Sequence, residues 1–137
     1  MGSINFLAVI VAAIVSMILG ALWYSPVLFG NIWMKLSGFN MKDMKKAKQK
    51  GMAKSYILNF VAVVVMAYVV SFVLRLANAS TAVAGLFIGI LLWLGFIATT
   101  MLGGILWENK PVELYFLNIL YYLVSLMIMG AILAVWV

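Results

Sequence analysis

Residues 82–107, AVAGLFIGILLWLGFIATTMLGGILW, form a continuous apolar run that contains no charged residue. The run is longer than the about 20 residues that a helix needs to cross a hydrocarbon core of roughly 30 Å. A backbone surrounded by lipid must satisfy its own hydrogen bonds, and the alternating polarity of a closed barrel is absent. The run therefore predicts a membrane-spanning helix.

Three further apolar runs accompany this one, in a chain whose residues are 68% hydrophobic and 9% charged. A soluble domain of this size could not bury so much apolar surface, whereas lipid removes the need to bury it. Because the second and third connections are short, consecutive helices should be antiparallel neighbours. The sequence predicts an all-α membrane protein, a four-transmembrane-helix up-down bundle that forms a single domain over residues 1–137. The predicted spans cover about residues 4–24, 53–75, 82–107 and 112–137.

The first connection, residues 25–52, is long and strongly basic. Apolar residues recur at helical spacing before the Ser37-Gly38 break and again after Asn40, while lysines occupy the other positions. This pattern is typical of an amphipathic helix lying at the membrane interface, and the sequence predicts such an interfacial helical loop between spans 1 and 2. The lysines expected to contact anionic headgroups or an acidic partner are Lys42, Lys45, Lys46, Lys48 and Lys50.

The distribution of basic residues predicts the orientation of the chain. Seven of the nine Lys and Arg residues lie between Lys35 and Lys54, and Lys110 falls on the same side of the bundle. Only Arg75 falls on the opposite side. By the positive-inside rule we expect a multi-pass protein of the cytoplasmic membrane, with the first and third loops in the cytoplasm and both termini outside.

Small residues recur four apart on the first and third spans. Such faces let helix backbones approach closely in lipid, where packing replaces the hydrophobic effect. Two interpretations are open, packing within the bundle and a subunit interface; we favour packing, and we also expect a homo-oligomer. The positions concerned are Ala8, Ala12, Ser16, Gly20, Gly85 and Gly89.

Polar residues fall along one face of the fourth span, and Asn59 of the second span lies at a similar depth near Asn118. Polar side chains in lipid seek partners, so these residues should face the bundle interior. We favour hydrogen bonds between helices as the explanation, with a polar path for an ion or small solute as the alternative. The candidate stripe consists of Asn59, Tyr115, Asn118, Tyr122 and Ser125.

The composition leaves little material for chemistry. The chain has no histidine and no cysteine, and its acidic residues number three, none of them paired for acid–base work. We therefore expect no catalytic residues, no metal site and no cofactor. Nucleic acid is not an expected partner either, because the basic residues are concentrated in one loop that suits lipid headgroups better.

Aromatic residues and prolines mark the expected cytoplasmic interface, at Trp23, Tyr24, Ser25, Pro26, Trp107 and Pro111. An aromatic belt that fixes the depth of the protein is the favoured interpretation, and a ligand pocket built from the same rings is the alternative.

The residues around this interface resemble those of a known family. Residues 19–30, LGALWYSPVLFG, are followed by Trp33-Met34-Lys35, and residues 107–111 read WENKP. With Asn118, residues 121–124 (YYLV) and residues 129–134 (MGAILA), the chain is similar to an uncharacterised bacterial membrane family, domain of unknown function number seventeen sixty-one. The resemblance implies four spans in a bacterial cytoplasmic membrane, and it implies no activity.

Taken together, the residues favour a self-associating structural or interaction module with a basic, lipid-facing cytoplasmic loop. The alternative is an oligomeric small-solute transporter or ion channel. We do not expect an enzyme, since no set of residues is placed for catalysis.

Overall fold

A computed structural model describes residues 4–38, 42–43, 45–46 and 51–136 of the chain. Four of its helices are long and apolar enough to cross a membrane: α1 (Phe6–Trp23), α3 (Ala53–Leu76), α4 (Ala82–Leu106) and α5 (Val112–Val135). A short helix, α2 (Gly30–Ser37), lies in the first connection. The predicted all-α fold with four spans is confirmed, and the helices differ from the predicted spans by one or two residues at some ends.

Side-chain caps and left-handed turns set the ends of the helices. The side chains of Asn5 and Thr81 accept hydrogen bonds of 3.2 and 3.1 Å from the backbone N–H three residues further on, which satisfies a free donor at the start of α1 and of α4. Gly38, with φ 74°, ends α2. Asn78 and Asn109 have φ of 55° and 54°, so the short connections reverse at residues that tolerate the left-handed region.

Helix α5 lies at the centre of the fold. It packs against α1, α3 and α4, and it is the most buried of the four spans. In contrast, α4 is the least buried span and makes most of its contacts with α5. The sequence predicts contact between consecutive spans, yet α3 and α4 share few contacts. The bundle thus has a core of α1, α3 and α5, with α4 attached to the flank of α5.

Small side chains form much of this core. Ala12, Ala13 and Ala67 are at most 1% exposed where α1 meets α3, and Met129 of α5 fills the adjoining space at 1% exposure. Alanines let the helix backbones approach, and close packing of this kind holds helices together in lipid.

The contact between α4 and α5 is closest at three glycines. A Cβ on Gly85 would overlap the carbonyl oxygen of Gly130, and a Cβ on Gly130 would overlap that of Gly85. A Cβ on Gly89 would overlap the carbonyl oxygen of Leu126. The two backbones therefore touch at these positions, and only glycine fits between them.

A π-helical segment, Trp93–Ala98, interrupts α4, where the sequence predicts an uninterrupted helix. The indole N–H of Trp93 donates to the Ile119 carbonyl at 2.6 Å, and the Tyr115 hydroxyl donates to the Ala98 carbonyl at 2.5 Å. Two hydrogen bonds to backbone thus fix both ends of the segment to α5. An apolar run carries no sequence signal for such a change of helical pitch, because every position is compatible with either helix.

Candidate functional site

The first and third connections lie at the same end of the bundle, here called the basic end. The described lysines of the first connection, Lys35, Lys42, Lys45 and Lys46, are exposed, as is Lys54 at the start of α3. Lys42, Asp43, Lys45 and Lys46 are helical. Of the lysines predicted to contact lipid, Lys48 and Lys50 lie outside the described residues. Asn40, after which we predict the basic amphipathic helix, also lies outside them.

A tight turn connects α1 to α2, and Ser25 holds it together. The Ser25 hydroxyl donates to the Leu22 carbonyl at 2.7 Å, which satisfies one of the last acceptors of α1. The Ser25 carbonyl accepts from the backbone N–H groups of Leu28 and Gly30 at 3.1 and 2.8 Å. Pro26 has no N–H and cannot continue α1. The Ser-Pro pair therefore ends the span and turns the chain into α2, which packs against α5.

Gly30, at the start of α2, is required by the same turn. A Cβ at this position would lie 2.5 Å from the carbonyl oxygen of Tyr24 and 2.6 Å from the carbonyl carbon of Ser25. Both neighbours are backbone atoms, so no side-chain movement can relieve the overlap. Gly30 lies within the sequence run 19–30, but that run does not predict this role, which follows from the closeness of the turn.

Two hydrogen bonds fasten the end of α1 to the first turns of α5. The Trp23 indole N–H donates to the Leu117 carbonyl at 3.1 Å, and the Tyr24 hydroxyl donates to Asn118 Oδ1 at 2.8 Å. Because Asn118 accepts through Oδ1, the N–H groups of its Nδ2 are its donors. The turn is thereby held at a fixed place on the bundle.

Aromatic rings surround these bonds. The Trp23 ring lies 4.7 Å from Phe29, the Tyr24 ring lies 5.5 Å from Tyr121, and the Trp33 ring of α2 lies 6.2 Å from Tyr24. Ring pairs at these separations attract each other beyond the area that they bury. The rings pack on one another at the basic end, so Trp23 and Tyr24 are packing residues of the bundle, and their predicted place at the membrane interface stays a prediction.

Gly20 makes room for one of these rings. A Cβ there would lie 2.9 Å from the Tyr121 hydroxyl oxygen. That hydroxyl donates to the Ser16 carbonyl at 3.1 Å, and the hydroxyls of Ser16 and Ser125 lie 2.5 Å apart. Polar contacts between α1 and α5 thus continue from the basic end into the core.

The predicted polar stripe is divided among separate partners. Asn118 bonds to Tyr24, Ser125 to Ser16, and Tyr115 to the Ala98 carbonyl, while the Tyr122 ring lies 5.0 Å from that of Tyr121. Asn59 is exposed, and its Nδ2 donates to the Met17 sulfur at 3.3 Å. The structure brings Asn59 to α1 and not to Asn118, so the five residues do not form one row.

The predicted small-residue faces lie inside the subunit. Ala8 and Ala12 are each 1% exposed and Ser16 is 4% exposed, and Gly85 and Gly89 are buried against α5. Gly130 is the partner that the sequence analysis missed. Its spacing of four from Ala134 is the signal that would have found it.

The remaining residues of the predicted interface motif lie in the third connection. Trp107 is 85% exposed, and Pro111, in extended conformation, immediately precedes α5. Beside them the Lys110 ammonium lies 3.1 Å from a Glu108 carboxylate oxygen. In the part of the chain that the structure describes, every buried side-chain nitrogen and oxygen has a hydrogen-bond partner.

Comparison with known proteins identifies the family of the chain. No curated protein and no solved structure matches the chain. One family profile matches residues 7–134, a stretch that takes in all four spans, the Ser-Pro turn and the glycine contact between α4 and α5. Its description is protein of unknown function (DUF1761), and it is the family that the motif at residues 19–30 resembles. The chain therefore belongs to this family.

Proposed function

We propose that the protein is a membrane-embedded interaction module that presents its basic segment, residues 35–54, to anionic lipid headgroups. The observation that carries the proposal is the exposure of every described lysine of this segment, next to a turn that fixes its start on the bundle. Lysine ammonium groups on a membrane-proximal segment are attracted to anionic lipid. The hydrogen bonds of Trp23 and Tyr24 hold the turn that precedes the segment against α5.

The positive-inside rule supports placing the basic end in the cytoplasm. Seven of the nine basic residues lie in this segment, and anionic lipids give the cytoplasmic leaflet its negative potential. In the proposed orientation both chain termini lie on the outer side.

The expected attraction is large in sum and sensitive to salt. Each lysine near an anionic surface contributes about 1 kcal/mol. The Debye length is about 8 Å at physiological ionic strength, so charges more than one Debye length from the surface contribute little. Several lysines on one short segment therefore hold it to the surface, and raising the salt concentration should release it.

Two features of the structure favour this function over an oligomeric transporter. Asn118 and Ser125, which a polar path would use, are paired with residues of α1 inside the subunit. The small-residue faces considered for self-association are also occupied within the subunit. The proposed contact with a partner surface is therefore at the basic end and not along the spans.

The proposal is tested by measuring, in the full-length protein, whether the basic segment contacts lipid. The chain contains no cysteine, so Ser37→Cys creates one labelling site at the end of α2. With an environment-sensitive dye on that site, we expect a blue-shifted emission in nanodiscs that contain phosphatidylglycerol. The shift should be smaller in nanodiscs of phosphatidylcholine alone, and added salt should reduce it.

A matched pair of variants separates charge from helix content. Replacing Lys42, Lys45 and Lys46 by Gln removes three charges, and at about 1 kcal/mol each the equilibrium constant for docking should fall by up to about 100-fold. Replacing the same three by Arg keeps the charge and should keep the shift. Emission that is the same in both lipids, or unchanged by the Gln substitutions, would refute the proposal.

A further inference from the structure

A pocket of about 390 Å³ lies between the last turns of α4 and the first turns of α5, outside the turn described above. We call it the α4–α5 pocket; its polar lining consists of Thr100, Glu108, Lys110, Tyr115 and Asn118. Its volume falls within the range of small-molecule sites. Gly103 and Gly104 also line the pocket and contribute no side chains to it.

The charged groups at its mouth are held in place by the backbone of the third connection. The Lys110 N–H donates to the Gly104 carbonyl at 3.0 Å, and Asn109 between the two charged residues has φ 54°. A Cβ on Gly104 would lie 3.5 Å from Lys110 Cδ and 3.7 Å from a Glu108 carboxylate oxygen. The pair therefore lies over Gly104, with one positive and one negative group 3.1 Å apart.

This ion pair is open to a ligand. The side chains of Lys110 and Glu108 are 58% and 60% exposed, and an ion pair so exposed contributes little to stability. A ligand that carries both charges a few bonds apart can therefore replace the intramolecular pair with two of its own at small cost.

The rest of the lining combines polar and apolar residues. The bond from Tyr24 to Asn118 Oδ1 sets the orientation of the Asn118 amide, whose Nδ2 is its donor. Met101, Ile105 and Leu114 provide the apolar wall. Lys110 and Asn118 thus offer N–H donors to a phosphate, and the apolar residues offer contacts to hydrocarbon attached to it.

We propose that the α4–α5 pocket binds a phosphoethanolamine group, as the headgroup of a zwitterionic phospholipid. Lys110 and Asn118 bind the phosphate, and Glu108 accepts hydrogen bonds from the primary ammonium. A quaternary ammonium has no N–H to donate, so the same carboxylate discriminates ethanolamine from choline headgroups. This site is separate from the basic segment, and the inference does not depend on the lipid contact proposed for that segment.

The test is native mass spectrometry of the full-length protein, delipidated in detergent and titrated with phospholipids that have the same acyl chains. We expect phosphatidylethanolamine to bind about tenfold more tightly than phosphatidylcholine, the factor that corresponds to one charge-assisted hydrogen bond. Glu108→Gln should reduce this preference, because its amide oxygen accepts a hydrogen bond but carries no charge, and Lys110→Gln should weaken the binding of both lipids.

Two control variants match these substitutions outside the pocket. Glu113→Gln removes an acidic side chain from the first turn of α5, and Arg75→Gln removes a basic side chain from the last turn of α3, at the opposite end of the bundle. Both should keep the preference for phosphatidylethanolamine. Equal binding of the two lipids by the wild-type protein, or an unchanged preference in Glu108→Gln, would overturn the proposal.

A third ligand distinguishes the source of the group. Glycerophosphoethanolamine has the same headgroup without acyl chains, so it cannot use the apolar wall. We expect it to displace the phospholipid only at much higher concentration. Tighter binding of the soluble compound than of the phospholipid would assign the pocket to a soluble metabolite and overturn the lipid assignment.

Discussion

The glycine contact between α4 and α5 gives the sharpest test of the fold, because the same substitution can be made at two glycines of α4 with opposite surroundings. A Cβ on Gly85 would overlap the Gly130 carbonyl and lie 2.6 Å from Ala134 Cβ. A Cβ on Gly95 would meet no atom within 4 Å. Gly85→Ala and Gly95→Ala therefore differ in packing and not in chemistry.

The expected magnitude follows from these distances. Carbon atoms prefer separations of about 3.5–4.0 Å, so Gly85→Ala must push the helices apart by roughly 1 Å. Overpacking of this kind costs about 1–3 kcal/mol, and the loss is felt along α4 because α5 supplies most of its contacts. The change from Gly to Ala returns about 0.5–1 kcal/mol of helix propensity at both positions. We expect Gly85→Ala to lower the free energy of unfolding by about 1–2 kcal/mol and Gly95→Ala to leave it unchanged or raise it slightly.

The measurement is equilibrium unfolding of the two variants in mixed micelles, followed by circular dichroism. A second variant, Gly130→Ala, meets the same backbone from the other helix and should be destabilised like Gly85→Ala. If Gly85→Ala proves as stable as Gly95→Ala, the close approach of α4 to α5 is wrong, and with it the placement of α4 on the flank of α5.

Three further predictions concern α1 and its turn. Gly30→Ala should lower the unfolding free energy by about 1–3 kcal/mol, because its Cβ meets backbone at 2.5 Å; unaltered stability in the same assay would contradict the turn geometry. Tyr24→Phe should lower the free energy of unfolding by about 1 kcal/mol, and Asn118→Leu should lower it by at least as much. The loss in the double variant should be smaller than the sum of the two, and additive losses would mean that the two side chains do not bond. Ser16→Ala should cost about 1 kcal/mol by leaving the Ser125 hydroxyl without its partner, and adding Ser125→Ala should restore part of the loss, so a further loss in the double variant would contradict the bond.

The positions of the spans are readable from the sequence, whereas their arrangement is not. A stretch such as residues 82–107 is apolar on all sides, so it identifies a span without indicating which face is buried. Lipid and protein interior are equally apolar, and α4 can therefore lie against α5 with its other sides exposed. Short connections predict antiparallel neighbours, but they do not determine how far two helices remain in contact.

The candidate site shows the same limit at the level of single residues. The Trp-Tyr-Ser-Pro motif is visible in the sequence, and its Pro predicts the end of α1 near Tyr24. The partners of that motif on α5 are almost a hundred residues away, and no spacing rule connects them. Gly30 is an example, because only glycine fits beside the carbonyl groups of Tyr24 and Ser25, and these groups approach residue 30 only once the turn has formed.

Asn118 connects the two proposed contacts of the basic end. Its carbonyl oxygen accepts from Tyr24, which lies in the turn leading to the basic segment, and its amide lines the α4–α5 pocket. A ligand phosphate on the Nδ2 group would draw electron density toward Oδ1, because hydrogen bonds in a chain polarise one another, and would strengthen the bond from Tyr24. Occupation of the pocket should therefore stabilise the turn, and the stabilised turn should in turn hold the amide in the orientation that favours the phosphate. One side chain, Asn118, connects the turn and the α4–α5 pocket. Replacing Asn118 should therefore remove the coupling between them.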